Sequence, residues 1–200
     1  MDFEVNYNYF FYSCDNFNDN NWGCVYRNLQ TLVSALIYFK KIPKESQIPD
    51  METLVTYFSK GNINEKDSLI EMWIEPHNVA LFLEDNLQLK GKEIVYFQSE
   101  NAKSRVLYTP LDIYDQPQNS KLEGLDGLNT LVSIIQNHFS NSKLPIIVDN
   151  GISSYVLADL QNDFVLIIDP HKTQHGTQFA ADNLSEFLQS EPCWMLFIVD

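Results

Sequence analysis

The sequence predicts an α+β fold in which helices pack against a mainly antiparallel sheet. Three observations predict it: an early stretch of helical spacing, a middle that mixes both patterns, and a last third in which short strand-like segments alternate with turns. The 200 residues, 44% of them hydrophobic and 13% aromatic, are enough to bury one sizeable core. Because the sequence has no internal repeat and no linker, we expect a single domain over residues 1–200.

The most strongly patterned element is a helix predicted from Cys24 to about Lys40. Its apolar residues recur at helical spacing, and lysines stand at its end, where cations are favoured. Before it, residues 3–12 are aromatic and extended in character. The Asp- and Asn-rich run 13–21 breaks regular structure and ends where a helix cap belongs. We therefore expect the chain to enter this helix through a polar loop.

The middle of the chain mixes helices and strands. Amphipathic spacing predicts further helices, which are Met51 to Ser59, His77 to Leu87 and Asp126 to Phe139. Alternating apolar residues predict strands over 92–98 and 104–108, joined by a turn. Residues 112–127 contain proline, asparagine and glycine, and we interpret them as a long surface loop.

The last third predicts a meander of strands interrupted by one helix. The predicted strands are Pro145 to Val148, Ser154 to Leu160, Phe164 to Asp169 and Trp194 to Val199. Turn residues stand at Asn150-Gly151 and Gln161-Asn162, and a helix is predicted from Asp182 to Leu188. Strands joined by short turns pair as antiparallel neighbours, which is why we expect the sheet to be mainly antiparallel.

Charge and composition limit the possible partners. The formal net charge of -14 opposes binding to a phosphate backbone, so we expect no nucleic-acid partner, and a basic or mixed-charge protein fits better. The longest apolar runs, 165–168 and 195–199, are far too short to span a bilayer. The N-terminus has no secretory pattern. We therefore expect a soluble, monomeric, cytosolic protein.

The three cysteines fit neither a disulfide framework nor the paired spacing of a zinc site, so we expect no metal and no cofactor. Cys24 has unusual surroundings because it follows Trp22-Gly23 at the start of the strongest helix, where amide N–H groups favour a thiolate. Gly23 would leave room for a substrate chain, and Trp22 would wall the groove. The alternative is that Cys24 is a small buried residue.

The second candidate group is Asp169-Pro170-His171, at the end of an apolar strand. Residues two apart in an extended chain project to the same side, so Asp169 and His171 can face one cleft. The alternative is a turn followed by an exposed histidine. Cys24, His171 and Asp169 would supply nucleophile, base and orienting group, and Tyr12 is the candidate side-chain donor to an oxyanion. The other histidines, His77, His138 and His175, lack a partnered motif.

These motifs resemble a known family. Residues 21–31, Asn-Trp-Gly-Cys-Val-Tyr-Arg-Asn-Leu-Gln-Thr, are similar to the Gly-Trp-Gly-Cys-Ala-Tyr-Arg-Ser-Leu-Gln-Thr signature of the ubiquitin-fold modifier specific proteases. That family also carries Asp-Pro-His at the end of an apolar strand. The resemblance implies a papain-like domain with Cys24 as nucleophile, His171 as general base and acid, Asp169 as its orienting group and Tyr12 as oxyanion donor. Trp22 and Gly23 would then line the substrate groove.

The implied substrate is a ubiquitin-like modifier, above all a ubiquitin-fold modifier, cleaved after its C-terminal glycine from a precursor or from its conjugates. One alternative is an autophagy-modifier protease, since that family shares Trp-Gly-Cys and Asp-Pro-His and often continues as Thr173-Gln174 does here. Another is a catalytically inactive modifier-binding module. Asn21 and the segment 149–158 depart from the first family's pattern. If the chain is a pathogen effector, its place of action would be the host cytosol.

Overall fold

The computed structural model describes residues 3–59, 73–89, 92–99, 119–174, 176 and 178–199. Within them the helices are α1 (Cys24–Tyr38), α2 (Met51–Phe58), α3 (Pro76–Leu87), α4 (Gly124–Asn141) and α5 (Leu184–Gln189). The strands are β1 (Lys92–Gln98), β2 (Asn119–Glu123), β3 (Ile146–Asp149), β4 (Ser154–Gln161), β5 (Phe164–Ile168), β6 (Phe179–Asn183) and β7 (Cys193–Val199).

One mixed sheet organises the described residues. Its seven strands lie in the order β2-β1-β7-β3-β4-β5-β6. Only β1 and β2 pair in parallel, whereas every other neighbouring pair is antiparallel. With helices packed on this sheet, the predicted α+β class with a mainly antiparallel sheet is confirmed.

Helices cover both faces of the sheet because successive strand residues point to opposite sides. Ile147 contributes to the core that contains α1, α2 and α3, and its neighbour Ile146 to the core that contains α4 and α5. Helix α1 is the innermost helix, since every residue from Cys24 to Leu36 is buried. A helix buried on all sides is held by packing more than by its own propensity, and this fixes the position of its first residue.

Most predicted elements are confirmed, and the differences concern β6, the start of α5 and a predicted loop. Strand β6 was not predicted, because its residues are almost all exposed and show no apolar alternation. The predicted helix from Asp182 starts later, since the Asn183 side chain caps it by accepting from the N–H groups of Ser185 and Glu186. The predicted strand 104–108 lies outside the described residues.

The predicted surface loop over 112–127 is wrong in its described part. Residues 119–123 form the edge strand β2, and α4 begins at Gly124. Gly124 has φ 62, so the chain turns sharply from the strand into the helix. A Cβ at Gly127 would lie 2.9 Å from the Leu122 carbonyl carbon, which shows how closely the helix crosses the strand.

Across the described ranges, every helix is either too short or too polar to cross a membrane.

Candidate active site

Cys24 is the first residue of α1, and the loop before it is folded tightly against the helix. The Gly23 N–H donates to the Asp19 carbonyl oxygen over 2.9 Å, which closes the turn just before Cys24. The thiol takes part in side-chain hydrogen bonds with both His171 and Tyr12. Cys24 itself has 0% of its surface exposed, so its sulfur is covered in this structure.

His171 is held by Asp169 through two hydrogen bonds. The His171 Nδ1 lies 2.6 Å from Asp169 Oδ1, and the His171 backbone N–H donates to the same oxygen over 3.0 Å. With Nδ1 engaged by the carboxylate, Nε2 is the nitrogen left for the thiol. Burial opposes protonation of the ring, but the hydrogen bonds to Asp169 and Cys24 outweigh it and raise the pKa of His171 to about 9.

Asp169 stands directly after β5 and is fixed by its neighbours. Its backbone N–H donates to the Gln178 carbonyl oxygen over 2.8 Å, and the buried Gln178 amide in turn donates to the carbonyls of Lys172 and Gln174. Burial alone would raise the pKa of Asp169, but the hydrogen bonds from His171 prevail and hold that pKa below its usual range. The carboxylate is therefore ionised at neutral pH.

Tyr12 lies beside both His171 and Cys24. Its backbone N–H donates to the Pro170 carbonyl oxygen over 2.9 Å, and its ring meets the His171 ring edge-on with centroids 5.2 Å apart. Burial, together with the charge of Cys24 and a hydrogen bond to it, raises the pKa of Tyr12, so the hydroxyl keeps its proton. The structure thus brings together Tyr12, Cys24, Asp169 and His171. Their catalytic roles stay predictions.

The two predicted groove residues, Trp22 and Gly23, lie in different surroundings. Trp22 is half-buried and packs against Phe17 and Tyr26, with ring centroids 6.1 Å and 5.4 Å away. Gly23 is buried, and a Cβ on it would lie 2.5 Å from Asp19 Oδ2. The need for glycine here therefore comes from the Asp19 side chain inside the protein. Whether either residue contacts a substrate stays a prediction.

The sequence did not predict the arginine cluster around the buried Arg27, which comprises Arg27, Asp15, Asp19 and Gln30. The Arg27 Nε lies 2.6 Å from Asp19 Oδ2, and its two terminal nitrogens reach the two Asp15 oxygens over 2.9 and 2.8 Å. The Gln30 side chain also accepts from Arg27 over 3.1 Å. Hydrogen bonds from Arg27 hold the pKa of Asp15 below its usual range. The cluster ties loop 13–23 to α1.

Asp19 links this cluster to the site. Its Oδ1 also accepts from the Ser13 backbone N–H over 2.8 Å, and its carbonyl accepts from Gly23. Because Tyr12 precedes Ser13 and Cys24 follows Gly23, one buried residue positions both, through its carboxylate at Ser13 and its backbone carbonyl at Gly23. The sequence places Asp15 and Asp19 shortly before Arg27, but composition alone does not show that these three side chains meet.

Tyr155 is a second neighbour that the sequence did not single out. It lies on β4, and its ring centroid is 5.4 Å from that of His171. Burial raises the pKa of Tyr155.

Two histidines that lack a partnered motif in the sequence lie in different settings. His138 is buried with its Nε2 2.7 Å from the Leu144 carbonyl oxygen, and His175 lies outside the described residues. No group of three metal-ligating side chains occurs among the residues that the structure describes.

A thiol at a helix N-terminus, an imidazole and an orienting carboxylate are typical of cysteine peptidases. A profile of peptidase family C78 matches residues 2–186, and the chain therefore belongs to that family. The crystal structure of UfSP from C. elegans is similar in fold, with a TM-score of 0.65 at 16% identity, over 96% of this chain and 32% of that one. The papain-like fold implied by the sequence motifs is thus confirmed.

Two curated relatives carry matching names. The chain is 25% identical over 180 residues to a probable Ufm1-specific protease 2 of Drosophila melanogaster, and 26% identical over 198 residues to a probable Ufm1-specific protease of Oryza sativa subsp. japonica. These alignments cover 84% and 94% of this chain, but only 24% and 25% of the relatives. The chain therefore spans about a quarter of their length.

Proposed function

We propose that this chain is a cysteine peptidase that cleaves after the C-terminal glycine of a ubiquitin-fold modifier, from a precursor, from conjugates or from both. One observation carries the proposal: the Cys24 thiol is hydrogen-bonded to a His171 ring whose other nitrogen lies 2.6 Å from Asp169. The names of the Drosophila and rice relatives support the choice of modifier. The cytosolic location and the monomeric state stay predictions.

The proposed reaction has two halves. The Cys24 thiolate attacks the glycine carbonyl carbon, and the developing oxyanion accepts from the Tyr12 hydroxyl and from the Cys24 backbone N–H in the first turn of α1. The C–N bond then breaks as His171 gives its proton to the departing amine, which leaves a thioester. In the second half, neutral His171 removes a proton from water, whose oxygen attacks the thioester; the C–S bond breaks, which releases the glycine carboxyl group and regenerates the Cys24 thiolate beside protonated His171.

The raised pKa of His171 suits the first half of this reaction. A ring that titrates near pH 9 is protonated at neutral pH and is ready to act as the acid. Since Cys24 has no exposed surface, a substrate carbonyl reaches the sulfur only after a covering side chain shifts. Tyr12 would move from a contact with the sulfur to one with the oxyanion.

The test uses C-terminal electrophile probes of two modifiers, a ubiquitin-fold modifier and an autophagy modifier, with intact mass and peptide mapping as the readout. We expect the first probe to label Cys24, and the Cys24→Ala variant to stay unlabelled. Cys14→Ser is the matched control and should label fully, because Cys14 is exposed and lies outside the proposed site. Labelling by the second probe alone would reassign the substrate. Binding of a modifier without labelling would make the chain a binding module.

A further inference from the structure

The His171 ring is in contact with two tyrosine rings that come from different cores. Tyr12 belongs to the core that contains α1, and its ring centroid lies 5.2 Å from that of His171 at an interplanar angle of 82°. Tyr155 packs against the core that contains α4 and α5, and its ring centroid lies 5.4 Å from that of His171 at an angle of 58°. The proposed reaction uses the hydroxyl of Tyr12 but gives no role to Tyr155.

The hydrogen bonds of His171 hold only the two nitrogens of its ring. Nδ1 lies 2.6 Å from Asp169 Oδ1, and the other nitrogen is left for the Cys24 thiol. A ring held at its nitrogens alone can still tilt, because the outer torsion of a histidine side chain has broad minima. Its side chain is also 27% exposed, so burial alone does not fix it. Contacts with the rest of the ring are therefore needed to fix its plane.

Tyr155 can supply such a contact because two buried aromatic residues hold it in turn. Its ring centroid lies 6.3 Å from those of Phe187 on α5 and Trp194 on β7. Phe187 and Trp194 stack with centroids 4.8 Å apart, and the Trp194 Nε1 donates to the Leu188 carbonyl oxygen over 3.0 Å. A close-packed pair of this kind resists displacement. The Tyr155 ring therefore has a firm support on the side of α5 and β7.

The chemical character of Tyr155 also suits a charged neighbour. The pKa of His171 is raised to about 9 by its hydrogen bonds to Asp169 and Cys24, so the ring is a cation at neutral pH. Burial raises the pKa of Tyr155, so its phenol stays neutral. An aromatic ring attracts a cation that lies within about 6 Å of its centroid. The contact between the two rings is thus favourable in the protonation state that the reaction begins with.

We propose that Tyr155 is a positioning residue for the peptidase reaction: its ring holds the His171 ring in the plane in which one nitrogen meets Cys24 while the other meets Asp169. The ring carries this role and the hydroxyl does not, so phenylalanine can replace tyrosine here. Helix α5 and strand β7 support the site through the residues that pack behind Tyr155. The role rests on the proposed function, but it can also be measured on the His171 ring without a substrate.

The main experiment compares Tyr155→Leu with Tyr155→Phe. The substrate is a ubiquitin-fold modifier whose C-terminal glycine carries a fluorogenic amide. We expect kcat to fall about fivefold in Tyr155→Leu, the fold-change that corresponds to one aromatic pair of typical energy. KM should change by less than about twofold, because the role concerns the reacting group and not substrate binding. Tyr155→Phe, which keeps the ring, should restore kcat. Equal losses in both variants, or a change confined to KM, would overturn the proposal.

Phe139→Leu is the matched control for a general loss of packing. Phe139 lies on α4, is 7% exposed and belongs to the same core as Phe187. Its replacement also removes a ring from that core, but it should leave kcat and KM unchanged. A fall in kcat equal to that of Tyr155→Leu would overturn the proposal, since it would trace the loss to a loosened core.

A second measurement uses NMR and no substrate. The Nδ1–H proton of His171, held by Asp169, should give a sharp downfield signal in wild type and in Tyr155→Phe, and the loss of this signal in His171→Asn assigns it. In Tyr155→Leu the signal should broaden, because a ring that tilts exchanges this proton faster with water. An equally sharp signal in Tyr155→Leu would overturn the proposal.

The two measurements separate the positioning role from the proposed function. If the wild-type protein cleaves no modifier while the His171 signal responds to Tyr155→Leu as expected, the peptidase function is rejected and the support of the ring by Tyr155 remains. If the wild-type protein cleaves the modifier and Tyr155→Leu cleaves it equally fast, the positioning role alone is rejected.

Discussion

Two neighbouring residues of α1 begin two very different polar clusters. Arg27 points into the arginine cluster, where the guanidinium reaches both carboxylates and one amide oxygen at 2.6 to 3.1 Å. Asn28 belongs to a cluster with Ser154 and Asp149, the Asp149 cluster. There, the buried Oδ1 of Asn28 and Oδ2 of Asp149 have no donor among the described residues. Buried polar groups are nearly always paired, so the first cluster follows the rule and the second departs from it.

The difference separates a structural role from a pH-dependent one. A fully paired ion cluster has one low-energy arrangement and fixes loop 13–23, which begins just after Tyr12 and ends just before Cys24. Burial raises the pKa of Asp149 to about 7, so its protonated and ionised forms have similar free energies near neutral pH. The arginine cluster thus holds the site in shape, while the Asp149 cluster can respond to pH.

The largest expected effect comes from breaking the paired cluster. Arg27→Met should destabilise the protein by about 3–5 kcal/mol, because Asp19 would remain buried without its cation. Urea unfolding measures the loss. Lys121→Met is the control: its ion pair with Glu123 is exposed and should contribute less than about 1 kcal/mol. Equal losses in the two variants would mean that the arginine cluster contributes no more than a surface pair.

A smaller loss of unfolding free energy is expected when a substitution crowds the arginine cluster without removing any of its members. Gly23→Val places a Cβ within 2.5 Å of Asp19 Oδ2 and should cost about 1–3 kcal/mol in unfolding free energy. The matched control is Ala180→Val on the exposed strand β6, which should stay within about 0.5 kcal/mol of wild type. If Gly23→Val unfolds like wild type yet loses probe labelling, the groove role from the sequence would be restored.

The smallest expected effect concerns Asp149 and depends on pH. Asp149 has a pKa of about 7 when folded and near 4 when unfolded, so the folded state binds its proton more tightly. Its contribution to stability is therefore full below pH 4 and is lost as pH rises towards 7. Relative to Asp149→Asn, wild type should lose at least about 1 kcal/mol between pH 5 and 8. Urea unfolding at several pH values checks this, and parallel pH profiles would show that Asp149 titrates alike in both states.

The sequence predicted the elements that have strong periodicity. Helix α1 and strand β1 were recognisable because their apolar residues follow one period over a whole element. The candidate site was predictable for a different reason: Cys24 and Asp169-Pro170-His171 combine scarce residue types in a family pattern. Strands β2 and β6 were missed because edge strands bury little and need no alternation.

The polar clusters were not predictable, because they depend on contacts that form only in the folded chain. Asn28 and Ser154 are 126 positions apart, and nothing in either local sequence reveals the hydrogen bond between them. The reason for Gly23 was likewise hidden. Its partner Asp19 is nearby in sequence, but only the folded loop shows that the carboxylate fills the space where a side chain would go.

The order of strands in the sheet also governs how the protein can be made. Strand β7 lies between β1 and β3, so β1 waits about a hundred residues of synthesis for its inner neighbour. A nascent chain that lacks residues 193–199 has unpaired edges on β1 and β3, the two strands that β7 joins. Translation therefore delivers Tyr12 and Cys24 long before the sheet can close, whereas Asp169 and His171 emerge shortly before β7, so the site is assembled late.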